Sequence, residues 1–439
     1  CGGTQALDSR EDGHADVVAA GDATTDGEPP LPGRDPDPDE LIALREAMRI
    51  AERLRSLRFA RAVPVRVQSR ADIVAFVRDR IEDEELEEAR LFYVAIGLLP
   101  EDVDLRTLVI DVMGEQIAGF YDPPRHTMVV REDVMEEMTR LVVRGGTILG
   151  TPSSMVLVHE YVHALQDQRL GLRSDDPDVD DGRSIDEANA YAALVEGDAT
   201  LTMLGVGFLE GDGRTLDDLT RTRGLLRSQL ANDADRGPPG SALASAPAIL
   251  RAPLMSRYLD GLVFTGALHG GHDRPGRSGF RAIDDAFHDP PTTTEQILHP
   301  ARYAMGDRPT AIALPALSSM IDAGFVALDD ETLGELEMSV FFAQGTSRDR
   351  DRDAAAGWDG DRIRVLHRPS DHALAFVWLT RWDDEREAID AETAARRVST
   401  TITTPTGPMQ VTRVGRGVAI TAGLDTIAQA EIATSLPSL

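Results

Sequence analysis

The segment at residues 151–171, TPSSMVLVHEYVHALQDQRLG, constrains this chain more than any other. Thr151 suits a helix N-cap, Pro152 the first turn and Gly171 the end, so the spacing predicts one helix of about 19 residues. Met155, Val156, Leu157, Val158, Tyr161, Val162, Ala164 and Leu165 put apolar side chains on nearly every side of it. A helix apolar all round is buried, and His159, Glu160 and His163 are buried with it and need partners. His159 and His163 stand at i and i+4 and face the same way. Two imidazoles so spaced can bind one Zn²⁺, while the intervening Glu160 can serve as general base toward a water held there. The plainer alternative is a pair of hydrogen-bonded core histidines. With 10 His in the chain, chance places HExxH in only about one or two such sequences in a hundred, which favours zinc.

A third ligand is needed. A metzincin would continue with Gly three residues after His163 and His three further on, where this chain has Gln166 and Arg169. That leaves an acidic ligand on a later helix, the gluzincin arrangement, and residues 184–199, SIDEANAYAALVEGDA, offer Glu187 and Glu196. Nine residues turn a helix by about 900°, so the two point to opposite sides. Ser184 and Glu187 form the S-x-x-E pattern of a capping box, an ordinary occupation for Glu187. Glu196 shares its face with Ala192, Ala193 and Ala199, whose small side chains would let this helix approach the HExxH helix closely, so Glu196 is the expected ligand. Asp198 reads as a supporting or solvent-facing acid.

The three segments AGFYDP (118–123), HEYVHALQDQ (159–168) and VEGDAT (195–200) resemble a family of bacterial HExxH proteins classed as gluzincin-type zinc metallopeptidases, many of them lipoproteins. TTTEQILHP (292–300) is similar to that family's STEQxLHP stretch, with Thr293 in place of Ser, and GWDGD (357–361) resembles its GWxGD element. The resemblance spans residues 118 to 361 and gains weight from the order of the segments, since only HExxH is specific by itself. It implies a zincin-like catalytic domain. His299, Tyr258 and Tyr303 lie in the similar region, and His299 is the leading candidate to donate to a developing oxyanion, against a structural role in a Pro-flanked loop.

The fold class expected is α+β: a mainly helical zincin-like domain with a small β-hairpin over residues 39–310, followed by a smaller α+β domain over 311–439. Residues 39–61, 71–80, 84–96 and 132–143 read as helices, and 117–121 and 127–130 as a hairpin around Asp122-Pro123-Pro124-Arg125. Pro64 confines the stretch at 63–67 to a sheet edge at best. The hairpin could offer an edge strand for an extended peptide, or simply cover the core. Strands at 363–366, 373–380, 409–414 and 418–421 surround a helix at 383–397. His269 and His272 flank a Gly pair and read as a loop, and the alternating charges at 348–353 as a solvated one.

Residues 1–38 are rich in Gly, Asp, Ala, Thr and Pro, and read as a disordered acidic tether. The sole cysteine is Cys1, which excludes disulfides and Cys-based zinc sites and looks like the lipid-bearing N-terminus of a mature bacterial lipoprotein. The expectation is a membrane anchor through Cys1 at the bacterial cell envelope, on the periplasmic or outer-membrane face. With 75 acidic residues against 45 basic ones, all arginine, the formal charge is −30. That disfavours nucleic-acid partners, and the absence of lysine removes Schiff-base and P-loop chemistry. The function expected is zinc-dependent hydrolysis of a peptide or protein substrate by Glu160, His159, His163 and Glu196. A catalytically silent zincin-like binding module is the alternative, which an intact Glu160 argues against; hydrolysis of a non-peptide amide is a third.

Overall fold

The structure is a computed structural model that describes residues 30–148, 150–173, 182–208, 216, 240–271, 276–345, 353–436 and 439. Helices and strands are mixed in an α+β fold with a strand-rich C-terminal region. Cys1 and most of the expected tether, His272, and all of the 348–353 run except Asp353 lie outside the described residues. The described residues pack as two compact units, each assembled from separated pieces of chain.

The first unit draws on Cys1–Ile73, Ile117–Ser174 and Thr202–Asp212. Its elements are α1 (Pro38–Arg55), β1 (Val65–Gln68), β2 (Gly119–Asp122), β3 (Thr127–Arg131), α2 (Glu132–Val143) and α3 (Pro152–Leu170). The sheet order is β1-β3-β2, with β1 parallel and β2 antiparallel to β3. Pro64, which cannot donate to a ladder, thus precedes an outer strand. Leu44 and Met48 of α1, Val65 and Val67 of β1, Met128 and Val130 of β3, Met135 and Met138 of α2, and Leu157, Val158, Tyr161 and Leu165 of α3 form one core. Burying each such side chain favours folding by roughly 1.5–3 kcal/mol.

Packing begins earlier than the sequence suggests. Leu31 is buried, and Gln68 Nε2 donates to Pro32 O at 2.6 Å. Arg34 exchanges both backbone hydrogen bonds with Val67, at 3.0 and 2.9 Å. Arg34 also reaches both oxygens of Glu40 at 2.7 Å, and Glu40 closes a capping box with Asp37 at the start of α1. The boundary expected at residue 38 is therefore corrected. A polar, Pro-rich stretch is ordered here because its backbone groups find partners on β1 and its one large apolar side chain finds the core.

The second unit draws on Val74–Gln116, Asp175–Leu201 and Gly213–Leu439. It holds helices at Arg70–Asp79 (from Val74 on), Asp83–Ala95 and Leu105–Gln116, then α4 (Ile185–Gly205, up to Leu201) and α5 (Ala248–Gly270). Its five-stranded sheet contains β4 (Val326–Glu331), β5 (Trp358–Arg368), β6 (Ala373–Trp382), β7 (Gln410–Val414) and β8 (Gly417–Ala422), in the order β4-β5-β6-β8-β7 and antiparallel throughout. On one face Trp358, Trp378, Trp382 and Phe376 pack with Phe341 and Phe342 of α6 (Gly334–Ala343) and Val398 of α7 (Glu385–Thr401). On the other, Leu366, Val377, Leu379 and Ala419 meet Ala428 and Ile432 of α8 (Thr426–Ser435). The expected division at residue 310 follows composition. The packing division follows contacts, and joins residues 311–439 to helices from earlier in the chain.

Candidate metal centre

The HExxH helix forms as its caps dictate. Thr151 accepts from Ser154 N at 3.1 Å, and Gly171 ends α3 with φ of 69°. Eleven of its 19 residues are buried, His159 and Glu160 among them. One helical turn apart, His159 and His163 bring their Nε2 atoms to 3.0 Å. Two nitrogens bound to one zinc at tetrahedral angles lie roughly 3.4 Å apart, so this pair needs to open only slightly.

Which tautomer His163 adopts is set within the same helix. His163 Nδ1 lies 2.9 Å from Gln166 Oε1, and an amide oxygen only accepts, so Nδ1 carries the proton and Nε2 keeps its lone pair. Gln166 is fully buried. The sequence reading used this residue only to exclude a metzincin, and missed its role; the i, i+3 spacing of His163 and Gln166 was the available signal.

The neighbouring motif residues also have physical occupations. Asp167 Oδ2 accepts from Tyr121 Oη at 2.6 Å and Arg61 Nη2 at 2.9 Å, and lies 2.8 Å from His126 Nδ1. Burial, with the Asp167 carboxylate beside it, pushes the Tyr121 phenol well above its usual range. Gln168 Oε1 accepts from the amides of Ala60 and Arg61 at 2.8 and 3.0 Å. At the hairpin turn Asp122 accepts from Arg125 N at 3.1 Å and Arg125 Nη1 at 2.9 Å. Tyr121 and Asp167 thus fasten β2 to α3. A Cβ built on Gly119, the first residue of β2, would lie 3.7 Å from Glu160 Cγ.

His159 and His163 stand on α3 in the first unit and Glu196 on α4 in the second, and each offers a donor atom of a kind that can ligate a metal ion. Two imidazoles and one carboxylate would be a donor set suited to zinc. Ser184 Oγ accepts from the amide of Glu187, the other acid weighed, at 3.3 Å. The small residues of α4 have a partner other than the one expected. A Cβ on Gly197 would lie 2.3 Å from the Gly261 carbonyl of α5, and one on Gly261 would lie 2.2 Å from Ala193 O. Ala193 and Gly197 serve a close crossing with α5.

His299 is half-buried, with Nε2 2.9 Å from Glu335 Oε1. Tyr303 Oη donates to Asp289 O at 2.8 Å. Tyr258 is partly exposed, and His269 packs edge-on against Phe280 with ring centroids 5.0 Å apart. Asp361 is buried and takes four neutral donors: Leu333 N, Gly334 N, Trp358 Nε1 and Trp378 Nε1, at 3.1, 2.9, 2.9 and 2.9 Å. Nothing in the sequence paired these groups in advance.

Residues 324–432 match the family model described as a domain of unknown function (DUF8575). No curated protein and no solved structure matches the chain. No helix among the described residues is long and apolar enough to cross a membrane.

Proposed function

We propose that this chain is a zinc-dependent peptidase of gluzincin type. The observation that supports this best is the His159–His163 pair, its Nε2 atoms 3.0 Å apart on a buried helix that also carries Glu160, with Glu196 as the third ligand. Zn²⁺ held by His159, His163 and Glu196 would supply Lewis-acid polarisation of a substrate carbonyl and would lower the pKa of a water. Gln166 holds His163 in the tautomer that leaves Nε2 available. Glu160 accepts the proton of the attacking water at its carboxylate and returns it to the leaving amine. β2, an outer strand of its sheet, presents backbone beside Glu160 along which an extended peptide can pair. With Nε2 of His299 on Glu335, assistance to a developing oxyanion from this residue would come from Nδ1 or by exchanging that bond.

The test is to measure zinc in the purified protein, then compare cleavage of a diverse peptide library by wild type and Glu160→Gln. The expected outcome is one zinc per chain in both and a loss of at least about a hundredfold in cleavage for the variant. Equal cleavage by both removes Glu160 as the base. Stoichiometric zinc without cleavage by wild type turns the reading toward a binding module.

A further inference from the structure

Glu196 lies on α4 ten residues beyond Asp186, and the first turns of α4 are fastened to the segment that joins β4 to α6. Ile185 N donates to Glu331 Oε2 at 3.1 Å and Asp186 N to Thr332 O at 3.0 Å. Asp186 Oδ1 accepts from Thr294 N at 2.8 Å and Thr294 Oγ1 at 2.5 Å. The same Thr294 hydroxyl accepts from Leu336 N at 3.1 Å, inside α6. One turn on, Asn189 Nδ2 donates to Glu337 Oε1 at 3.4 Å.

The surface that receives Asp186 is rigid. Gly334 has φ of 74°, and a Cβ there would lie 1.8 Å from Asp186 Oδ1, so the carboxyl occupies space that only glycine leaves open. The amides of Leu333 and Gly334 are themselves fixed on Asp361, between the indoles of Trp358 and Trp378. No proline interrupts α4. Ten residues of uninterrupted helix carry an anchored end about 15 Å along the axis with little freedom of rotation.

We infer that the β4–α6 junction, acting with Thr294, sets the position and rotation of α4, and that Asp186 and Thr294 are positioning residues for Glu196 as a metal ligand. The inference rests on the zinc reading above, and gives part of the region matched at 324–432 a task in that site. Burial pushes the Asp186 carboxyl up to about 8, so at neutral pH it sits there protonated and asparagine mimics it.

The experiment titrates the full-length protein with Zn²⁺ alone against a chromogenic chelator. The variants are Thr294→Val, which removes the hydroxyl at constant shape, Thr294→Ser, which keeps it, and Asp186→Ala beside Asp186→Asn. Glu196→Gln is measured alone and combined with Thr294→Val. Expected are zinc affinities weakened about tenfold or more by Thr294→Val and Asp186→Ala, with Thr294→Ser and Asp186→Asn within about threefold of wild type. In the Glu196→Gln background Thr294→Val should change affinity no further, because it acts through that carboxylate. Wild-type affinity in Thr294→Val, or an equal loss in both backgrounds, overturns the inference and leaves the zinc reading standing. Unchanged zinc binding in Glu196→Gln alone overturns the ligand assignment, and the inference with it. Thr294→Val provides the answer should Asp186→Ala fail to fold.

Discussion

Around Asp167 and around Asp361 the two units solve the same problem, holding a carboxyl group among polar partners, in opposite ways. Asp167 keeps 13% of its side chain exposed and meets the cationic Arg61 together with His126 and Tyr121. Asp361 is 4% exposed and meets two backbone amides and two indoles, with no cation among them. Ion pairs occur in both units, Arg364 with Asp330 and Arg381 with Asp359 in the second among them, but the acids raised to about 8 lie in the second. The first unit pairs Arg34 with Glu40, Arg125 with Asp122 and Arg131 with Asp133. In the second, Asp186, Glu295 and Glu337 are each pushed up to about 8, chiefly by burial. Desolvation outweighs the hydrogen bonds even at Asp361, whose carboxyl is also raised. A pair with a half-exposed cation, such as Arg61 with Asp167, tolerates the loss of a partner, because water replaces it. A dry acid held by neutral donors does not.

Three measurements break or sharpen this contrast. The largest effect is expected from Asp361→Ala, which leaves four buried donors without an acceptor and should cost about 4 kcal/mol or more in urea unfolding. A loss below about 1 kcal/mol would erase the distinction between the units. Next comes pH. A carboxyl whose folded pKa lies above its unfolded value keeps a proton that the unfolded chain releases, so stability falls as pH rises between the two. For Glu337, raised from 4.5 to about 8, that window runs from about 4.5 to 8, with a slope of up to about 1.4 kcal/mol per pH unit. Glu337→Gln should flatten the decline in a series of pH-dependent unfolding curves, and an unchanged slope would show that Glu337 ionises freely. The smallest effect is expected from Asp167→Asn. Its half-exposed cation partner screens the loss, so a cost of about 1 kcal/mol in thermal unfolding is expected, reduced further in 1 M salt.

What could be read from the sequence follows the same division. The caps of α3 and the hairpin at Gly119–Arg131 were legible because Thr151, Gly171 and the Pro-Pro turn act locally. Glu160 and the His159–His163 pair followed from helical spacing alone. The helix Leu105–Gln116 was not anticipated, since Leu108, Val109, Ile110 and Val112 are a short apolar run that suits a strand equally well. β4 was missed because it ends in three acids and carries an irregularity between Ala327 and Asp330. α6 starts at glycine and buries Glu335 and Glu337, so no polar face marks its period. Gln166, and the link from Thr294 to Asp186 across 108 positions, become visible only when distant segments meet. The small residues around Glu196 signalled a close helix crossing, but their partner is Gly261.

That crossing bears on how such chains diverge. Gly197 follows Glu196 directly, and its Cα sits 3.2 Å from where a Cβ on Gly261 would stand. Enlarging either residue forces two whole helices apart, and with them the acid next in sequence. The pair therefore cannot drift one residue at a time: substitutions at 197 and 261 should be found together, with a shift in the tilt of α5, or not at all. Gly197 is then a record of helix spacing, and substitutions there should accompany changes at a position more than sixty residues away.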